Sequence, residues 1–343
     1  MLGVATAHCQ PGVDHAPSPF KAGNCRLADR VVAPAGATLR RMHPPTPILL
    51  LADPVMAAPL VAAIAAQAPE LTLLPYSRAL DQPTLAAIEV GLGWRFAPGV
   101  AARLPALRWV CSMAAGVEKL LVPDLGPHVA VSRMVDPGQA LGIAQFVALM
   151  ALYQVRGLAR YEAQQLQRQW LRHPMGASHA KVLVLGWGSV GRECGRVLDA
   201  LGFTVTGWRR SSGPLHAALA DAQIVVNALP LTPQTDGLLD ATAFAAMPRG
   251  AYLINIARGG HVVEADLLAA VRSGHLAGAA LDVQATEPMA ADDPLWAVPG
   301  ITITPHIAGQ SSPEVVAAQF IAALRCFQAG QPLPNPVDRQ LGY

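Results

Sequence analysis

The sequence predicts an α/β chain, with a doubly wound parallel sheet in its C-terminal half and a smaller α/β domain before it. Three observations carry that expectation. The stretch KVLVLGWGSVGRECG at residues 181–195 runs four apolar residues straight into glycines spaced G-x-G-x-x-G, ahead of a helix-like segment. From Lys181 onward six mostly apolar runs, VLVL, FTVTG, IVVNAL, YLINIA, AALDV and ITIT, alternate with helical or loop segments, the pattern of buried parallel strands. Between residues 48 and 134 shorter runs, ILLLAD, LTLLPY and LRWVCSM, alternate with helical stretches in the same way.

Taken in order, residues 1–46 scatter Gly, Pro, His and Cys with little periodicity and no signal-peptide core, so they are expected to form a disordered extension, with the functional chain starting near Met42. The apolar run 48–68 is interrupted by Asp53, Pro54 and Pro59, which favours a half-buried strand and an amphipathic helix over a membrane span. Strands of the first domain end near Val131. Asp136 and Pro137 then read as an N-cap and first helical position. The helix they open is expected to be long, with Ile143, Val147, Met150 and Gln154 along one face and residues 161–172 turning polar, carrying the chain into the next domain. A final helix over residues 313–329 is expected to return to the first domain, which makes that domain discontinuous: residues 47–138 with 310–343, around a nucleotide domain at 139–309.

Composition narrows the function classes. A chain of 343 residues can bury two cores. A net charge of +2 with 14% charged residues offers no dense basic face, so neither nucleic acid nor membrane is expected as a partner. Five cysteines without a C-x-x-C pair point to a reducing compartment, here the cytoplasm. His173, His179, His216, His261 and His275 lack metal-ligand spacing, and no G-x-S-x-G elbow or P-loop lysine suggests hydrolase or phosphoryl-transfer chemistry.

In the glycine turn Gly186 permits the bend, Gly188 lets backbone approach a pyrophosphate, and Gly191 lets the helix pack on the strand; the phosphates would sit on the helix N-terminus. An NAD-preferring site wants a carboxylate after the second strand to accept from the ribose 2′-OH. WRRSS stands there instead, and two guanidinium forks with a hydroxyl suit a 2′-phosphate, unless Arg209 and Arg210 are only a solvated pair. NADP(H) is therefore the expected cofactor, with NAD(H) second. The expected cofactor-binding set is Gly186, Trp187, Gly188, Ser189, Val190 and Gly191, then Trp208, Arg209, Arg210 and Ser211, then Leu229, Pro230, Ile256, Ala257 and Asp282. Ligands of parallel sheets bind outside the carboxyl ends of strands, where Arg258 follows YLINIA, Glu287 lies past AALDV and His306 follows ITIT. Arg258 offers a fork for a substrate carboxylate and a charge that polarises a carbonyl. His306 can give or take the proton that accompanies hydride transfer, and Glu287 can fix its tautomer.

GWGSVGR, NIARGGHVVEADLLAAVRSGHLAGAALDV, Glu287-Pro288 and PHIAG at 305–309 together resemble the D-isomer-specific 2-hydroxyacid dehydrogenase family, over roughly residues 48–343. WRRS, Trp94 in GLGWRFAP, SMAAGVEKLL at 112–121 and the closing VDRQLGY are most similar to its glyoxylate/hydroxypyruvate reductase A type. The resemblance implies two Rossmann-like domains with parallel sheets and a cleft between them, a homodimer packed through the nucleotide domain, and catalysis by Arg258, Glu287 and His306. It further implies that Ala115, Gly116 and Val117 form the loop that holds the substrate carboxylate, and that Trp94 borders a small-substrate pocket; residues alone would place Trp94 in the core. The implied reaction is NADPH-dependent reduction of glyoxylate, hydroxypyruvate or a similar 2-oxo acid. The rivals are a family member acting on another substrate and a non-catalytic nucleotide sensor of the corepressor kind. SRMVDPGQALG at 132–142 and Gln284 depart from the type and bear on the pocket.

Overall fold

A computed structural model describes residues 47–342, so the expectations for residues 1–46 lie outside the described residues. The first sheet contains β1 (Ile48–Leu51), β2 (Leu73–Pro75), β3 (Val90–Gly93), β4 (Trp109–Ser112) and β5 (Ala130–Ser132), all parallel, in the order β2-β1-β3-β4-β5. Along β1 alternate side chains feed opposite faces. Ile48 and Leu50 enter a core with helix α1 (Pro54–Gln67), while Leu49 and Leu51 enter a second core under the other face, near α2 (Gln82–Ala86). All of β1 is thus buried, not half-buried as its sequence suggested. Asp53 caps α1 by accepting from the amides of Val55 and Met56, and the helix runs through Pro59.

β3 escaped the sequence reading because its VGLG carries little apolar signal, yet it lies at the centre of the sheet. A Cβ at Gly93 would stand 2.3 Å from the Leu51 carbonyl oxygen, so only glycine lets β3 pair this closely with β1.

Asp136 caps α3 (Pro137–Val155) through the Gly138 amide, as expected. The connecting helix is not continuous. Gly157, at φ 62, breaks it before α4 (Leu158–Leu166), and no regular element follows until the second sheet. By length and composition α3 is the one described helix able to cross a membrane, but Ala144, Val147, Met150 and Ala151 pack into the core of the second lobe.

That lobe is built from β6 (Lys181–Leu185), α5 (Ser189–Ala200), β7 (Thr204–Trp208), α6 (Leu215–Leu219), β8 (Ile224–Asn227), α7 (Ala241–Ala246), β9 (Ala251–Asn255), α8 (Glu264–Arg272), β10 (Leu276–Leu281) and β11 (Ile301–Ile303). Its six parallel strands run β11-β10-β9-β8-β6-β7, the doubly wound order, which reverses between β6 and β8. The last helix, α9 (Pro313–Gln328), returns to the first sheet: Phe320 stacks on Trp109 with ring centroids 5.6 Å apart, and Gln67 of α1 donates to the Glu314 carbonyl.

Candidate active site

At the order reversal β6 ends in the glycine turn. Gly186 has φ 92, and a Cβ there would come within 2.5 Å of the Ala228 carbonyl oxygen at the end of β8. A Cβ at Gly191 would stand 1.9 Å from the Gly186 carbonyl oxygen, so the start of α5 lies against the turn. A Cβ at Gly188 would meet nothing within 4 Å, and no side chain caps α5. Two glycines are thus demanded by packing within the protein, while the third keeps one side open in front of free helix N–H groups. That is the shape and polarity a pyrophosphate needs.

Beside the cradle, the Trp187 indole lies against Gly195 and Gly207, where added Cβ atoms would fall 2.3 and 2.1 Å from its ring. The Trp187 carbonyl accepts from Arg209 at 2.8 Å and from Arg192 at 3.3 Å. Trp208 is buried, whereas Arg209, Arg210 and Ser211 are exposed beyond β7, and among the described residues no carboxylate forms an ion pair with either arginine. Ser189 and Val190 open α5.

The next loops are held by buried amides. Asn227, at the end of β8, donates to Asn255, at the end of β9, at 2.9 Å. Asn227 also accepts from the Leu229 amide, and Asn255 accepts from Ala257 and donates to the Arg258 carbonyl. His261 is fully buried, with one ring nitrogen on the Arg258 carbonyl and the other on that of Pro230. Burial pulls its pKa down, against the carbonyls of Pro230 and Arg258, which favour the charged ring. These three residues fix the chain around Leu229, Pro230, Ile256 and Ala257. The IVVNAL and YLINIA runs displayed both asparagines as polar ends of apolar strands.

Asp282 directs its carboxylate into the protein. It accepts from the Thr304 hydroxyl at 2.6 Å and from the Ile307 and Ala308 amides at 2.8 and 2.9 Å, and so anchors the loop that carries His306. His306 itself has φ 56, a left-handed conformation uncommon outside glycine and asparagine, and its amide donates to the Asp282 carbonyl. Its Nδ1 lies 3.0 Å from Glu287 Oε2, while Glu287 Oε1 accepts from the Gln284 amide. Gln284 is buried and donates to the Leu281 carbonyl, and its backbone presses on Gly259, where a Cβ would fall 1.9 Å away. The loop after β9 and the loop carrying Glu287 therefore touch. The His306 side chain remains 47% exposed, open to a ligand.

Arg258 reaches across to the first lobe. Its Nε donates to Glu118 at 2.6 Å, and Nη1 donates to the Ala257 carbonyl at 2.6 Å. Nη2 lies beside Gly116, where a Cβ would fall within 1.9 Å of it. Ser112 shapes that loop by donating to the Gly116 carbonyl and accepting from the Ala114 amide. Arg258 and the Ala115–Gly116 backbone are thus brought together, as are His306 and Glu287. The Val117 side chain is core, at 2% exposure. Trp94 follows β3 and packs on the first lobe's core; among the described residues its indole hydrogen-bonds none of Arg258, Glu287 or His306.

A glycine cradle at the switch point of one lobe, with a guanidinium and a histidine–carboxylate pair on the adjoining strand ends, defines a two-domain, dinucleotide-dependent oxidoreductase. The family model for the D-isomer specific 2-hydroxyacid dehydrogenase NAD binding domain matches residues 148–308. Glyoxylate/hydroxypyruvate reductase A of Yersinia enterocolitica is 33% identical, in an alignment that covers 80% of this chain and 93% of that protein. Two solved structures each superpose with a TM-score of 0.79 over 87% of this chain and 100% of theirs: a D-isomer specific 2-hydroxyacid dehydrogenase from Xanthobacter autotrophicus in complex with NADPH and MES, 34% identical, and the NADPH-dependent glyoxylate/hydroxypyruvate reductase of Sinorhizobium meliloti with NADP and sulfate, 31% identical. The chain belongs to the D-isomer-specific 2-hydroxyacid dehydrogenase family.

Proposed function

We propose that this protein reduces a small 2-oxo acid, glyoxylate or hydroxypyruvate, to glycolate or the D-2-hydroxy acid with NADPH, and that His306 donates the proton. The observation that carries the reading is the pairing of an Arg258 fork, open beside Gly116, with a His306–Glu287 pair on the same edge as the glycine cradle. Reduced nicotinamide, when bound, supplies the hydride. Arg258 Nη2 and the Ala115–Gly116 backbone hold the substrate carboxylate, and the guanidinium charge polarises the neighbouring carbonyl. Glu287 accepts from His306 Nδ1–H, which leaves Nε2 to pass its proton to the carbonyl oxygen. Trp94 limits the pocket to small substrates. Closure of the lobes excludes water and holds the groups in reacting order.

The cofactor assignment rests on the exposed Arg209, Arg210 and Ser211, and it accords with the relatives solved with NADPH and with NADP. Arg209→Asp should shift the ratio of kcat/KM for NADPH over NADH toward NADH by roughly 10- to 100-fold, the scale of a charged hydrogen bond lost. An unchanged ratio in initial-rate assays would remove Arg209 from the 2′-phosphate site. Gly188→Ala tests the cradle separately. Its methyl meets open space in the protein, so the melting temperature should hold while the NADPH Kd rises about tenfold by fluorescence titration. A large loss of melting temperature with unchanged Kd would refute this assignment.

The reading also includes a cytoplasmic homodimer. The homodimer is supported by exposed Leu141, Leu149 and Leu152 on α3 and by exposed Leu166, Trp170 and Leu171, of which Trp170 is 94% exposed. The deciding assay follows absorbance of NADPH, then NADH, with glyoxylate, hydroxypyruvate, pyruvate and a bulkier 2-oxo acid. Fast oxidation of NADPH with the two smallest polar substrates is expected. Tight NADPH binding without turnover on any of them would overturn the assignment.

A further inference from the structure

We propose that Glu118 is a positioning residue for Arg258: a carboxylate of one lobe that orients the substrate-holding guanidinium of the other. The proposal rests on the reading of Arg258 as the carboxylate anchor. Among the described residues, Arg258–Glu118 is the one ion pair that joins the two lobes; the other four lie within a lobe.

Both attachment points are rigid. The Val117 side chain is core and its carbonyl accepts from the Leu120 and Leu121 amides, so the chain entering Glu118 is fixed. On the facing lobe the Arg258 carbonyl is held by Asn255 and His261, and Gly259 is pressed against Gln284. What is left free is the arginine side chain, long and rich in rotamers. Glu118 takes Nε and the Ala257 carbonyl takes Nη1, and those two contacts settle the guanidinium plane. Nη2 is then the donor left at Gly116. Glu118 Oε2 would stand 2.7 Å from a Cβ at Gly116, so the same glycine admits both partners.

The electrostatics fit this arrangement. Burial works to raise the Glu118 pKa, but the charge of Arg258 and the hydrogen bond from it outweigh burial and hold the carboxyl below its ordinary value. Glu118 is thus favoured as a carboxylate beside the guanidinium. It meets the fork at Nε.

Three variants separate orientation from charge. Glu118→Asp keeps the charge but draws the oxygen back from Nε. Glu118→Gln loses the charge but keeps an acceptor at the same reach. Glu118→Ala loses both. The binding readout is oxamate, an unreactive isostere of a small 2-oxo carboxylate, titrated against the NADPH-bound enzyme. Orientation predicts that KM for glyoxylate and Kd for oxamate rise together, about tenfold in Glu118→Ala and severalfold in Glu118→Asp, and recover in Glu118→Gln, with kcat changing less and the NADPH Kd unchanged. The opposite order, Asp near wild type and Gln impaired, would overturn positioning in favour of a charge effect. So would a Glu118→Ala enzyme with unchanged oxamate affinity while Arg258→Ala has lost it. If Arg258→Ala also keeps its oxamate affinity, the anchor reading itself fails, and the proposal with it.

Discussion

Replacing His306 by alanine should lower kcat for 2-oxo acid reduction about 10²- to 10⁴-fold, the contribution of a positioned general acid. The loss should be chemical and not structural. The loop is held by Asp282, whose carboxylate takes the Thr304 hydroxyl and two amides and whose carbonyl takes the His306 amide, none of which involves the imidazole. The side chain's own hydrogen bond is to Glu287. Because His306 is at φ 56, His306→Asn is the better companion variant, since asparagine visits the left-handed region more readily than alanine does. Both should bind NADPH as the parent does, melt close to it, and turn over far more slowly. Glu287→Gln should also lose turnover heavily, because the Gln284 amide claims the side-chain oxygen and leaves the NH2 facing Nδ1, which holds the imidazole in the wrong tautomer. Turnover in His306→Asn within a few-fold of the parent would mean that another donor protonates the carbonyl.

The second lobe was readable because its inner strands, β6, β8, β9 and β10, are largely buried on both faces. Each of the six appears as a short apolar run, and the glycines between β6 and α5 mark where the order reverses. The first lobe was readable only in part. Its central strand, β3, obtains its place from close backbone approach at Gly93 and from tight side-chain packing at Gly91, and glycine contributes nothing to a hydrophobic pattern. β5 is three residues long. The split between α3 and α4 depends on one left-handed glycine within a sequence that keeps a helical period on both sides. Pro59 stands inside α1, in a helix whose buried side is held by Ala57, Leu60 and Ile64.

The candidate site divides in a similar way. Arg258, Glu287 and His306 could be picked out because each follows an apolar strand, and the sequence alone puts them on one edge. Residues that act by holding others were less visible. Asp282 was expected at the cofactor, and its oxygens are occupied by the His306 loop. Glu118 gave no sign, since its partner is 140 positions away and the pairing exists only once the lobes meet. His261 looked like one more histidine without metal spacing, and its two carbonyl contacts come from separate loops. A polar residue buried at a strand's carboxyl end, as with Asn227 and Asn255, is the one local signal that marks such supports in advance.

Replacing Arg258 by alanine should remove about 2–5 kcal/mol of transition-state binding, roughly 30- to 5000-fold in kcat/KM, the range for truncating one member of a desolvated charge pair. The loss should appear in both constants. The carboxylate is held equally in ground and transition states, so that share raises KM; the carbonyl gains negative charge only as it is reduced, so that share lowers kcat. Arg258→Lys separates charge from shape. An ammonium on this backbone could turn to Glu118 or to the substrate, but it has no fork with which to donate to Glu118 through Nε while presenting Nη2 at Gly116. It should therefore recover little of the alanine loss, and the part it recovers should be in kcat, where a positive charge near the carbonyl still counts. A lysine enzyme with parental KM would show that a point charge suffices at this position and that the planar geometry between the lobes is not what binds the acid.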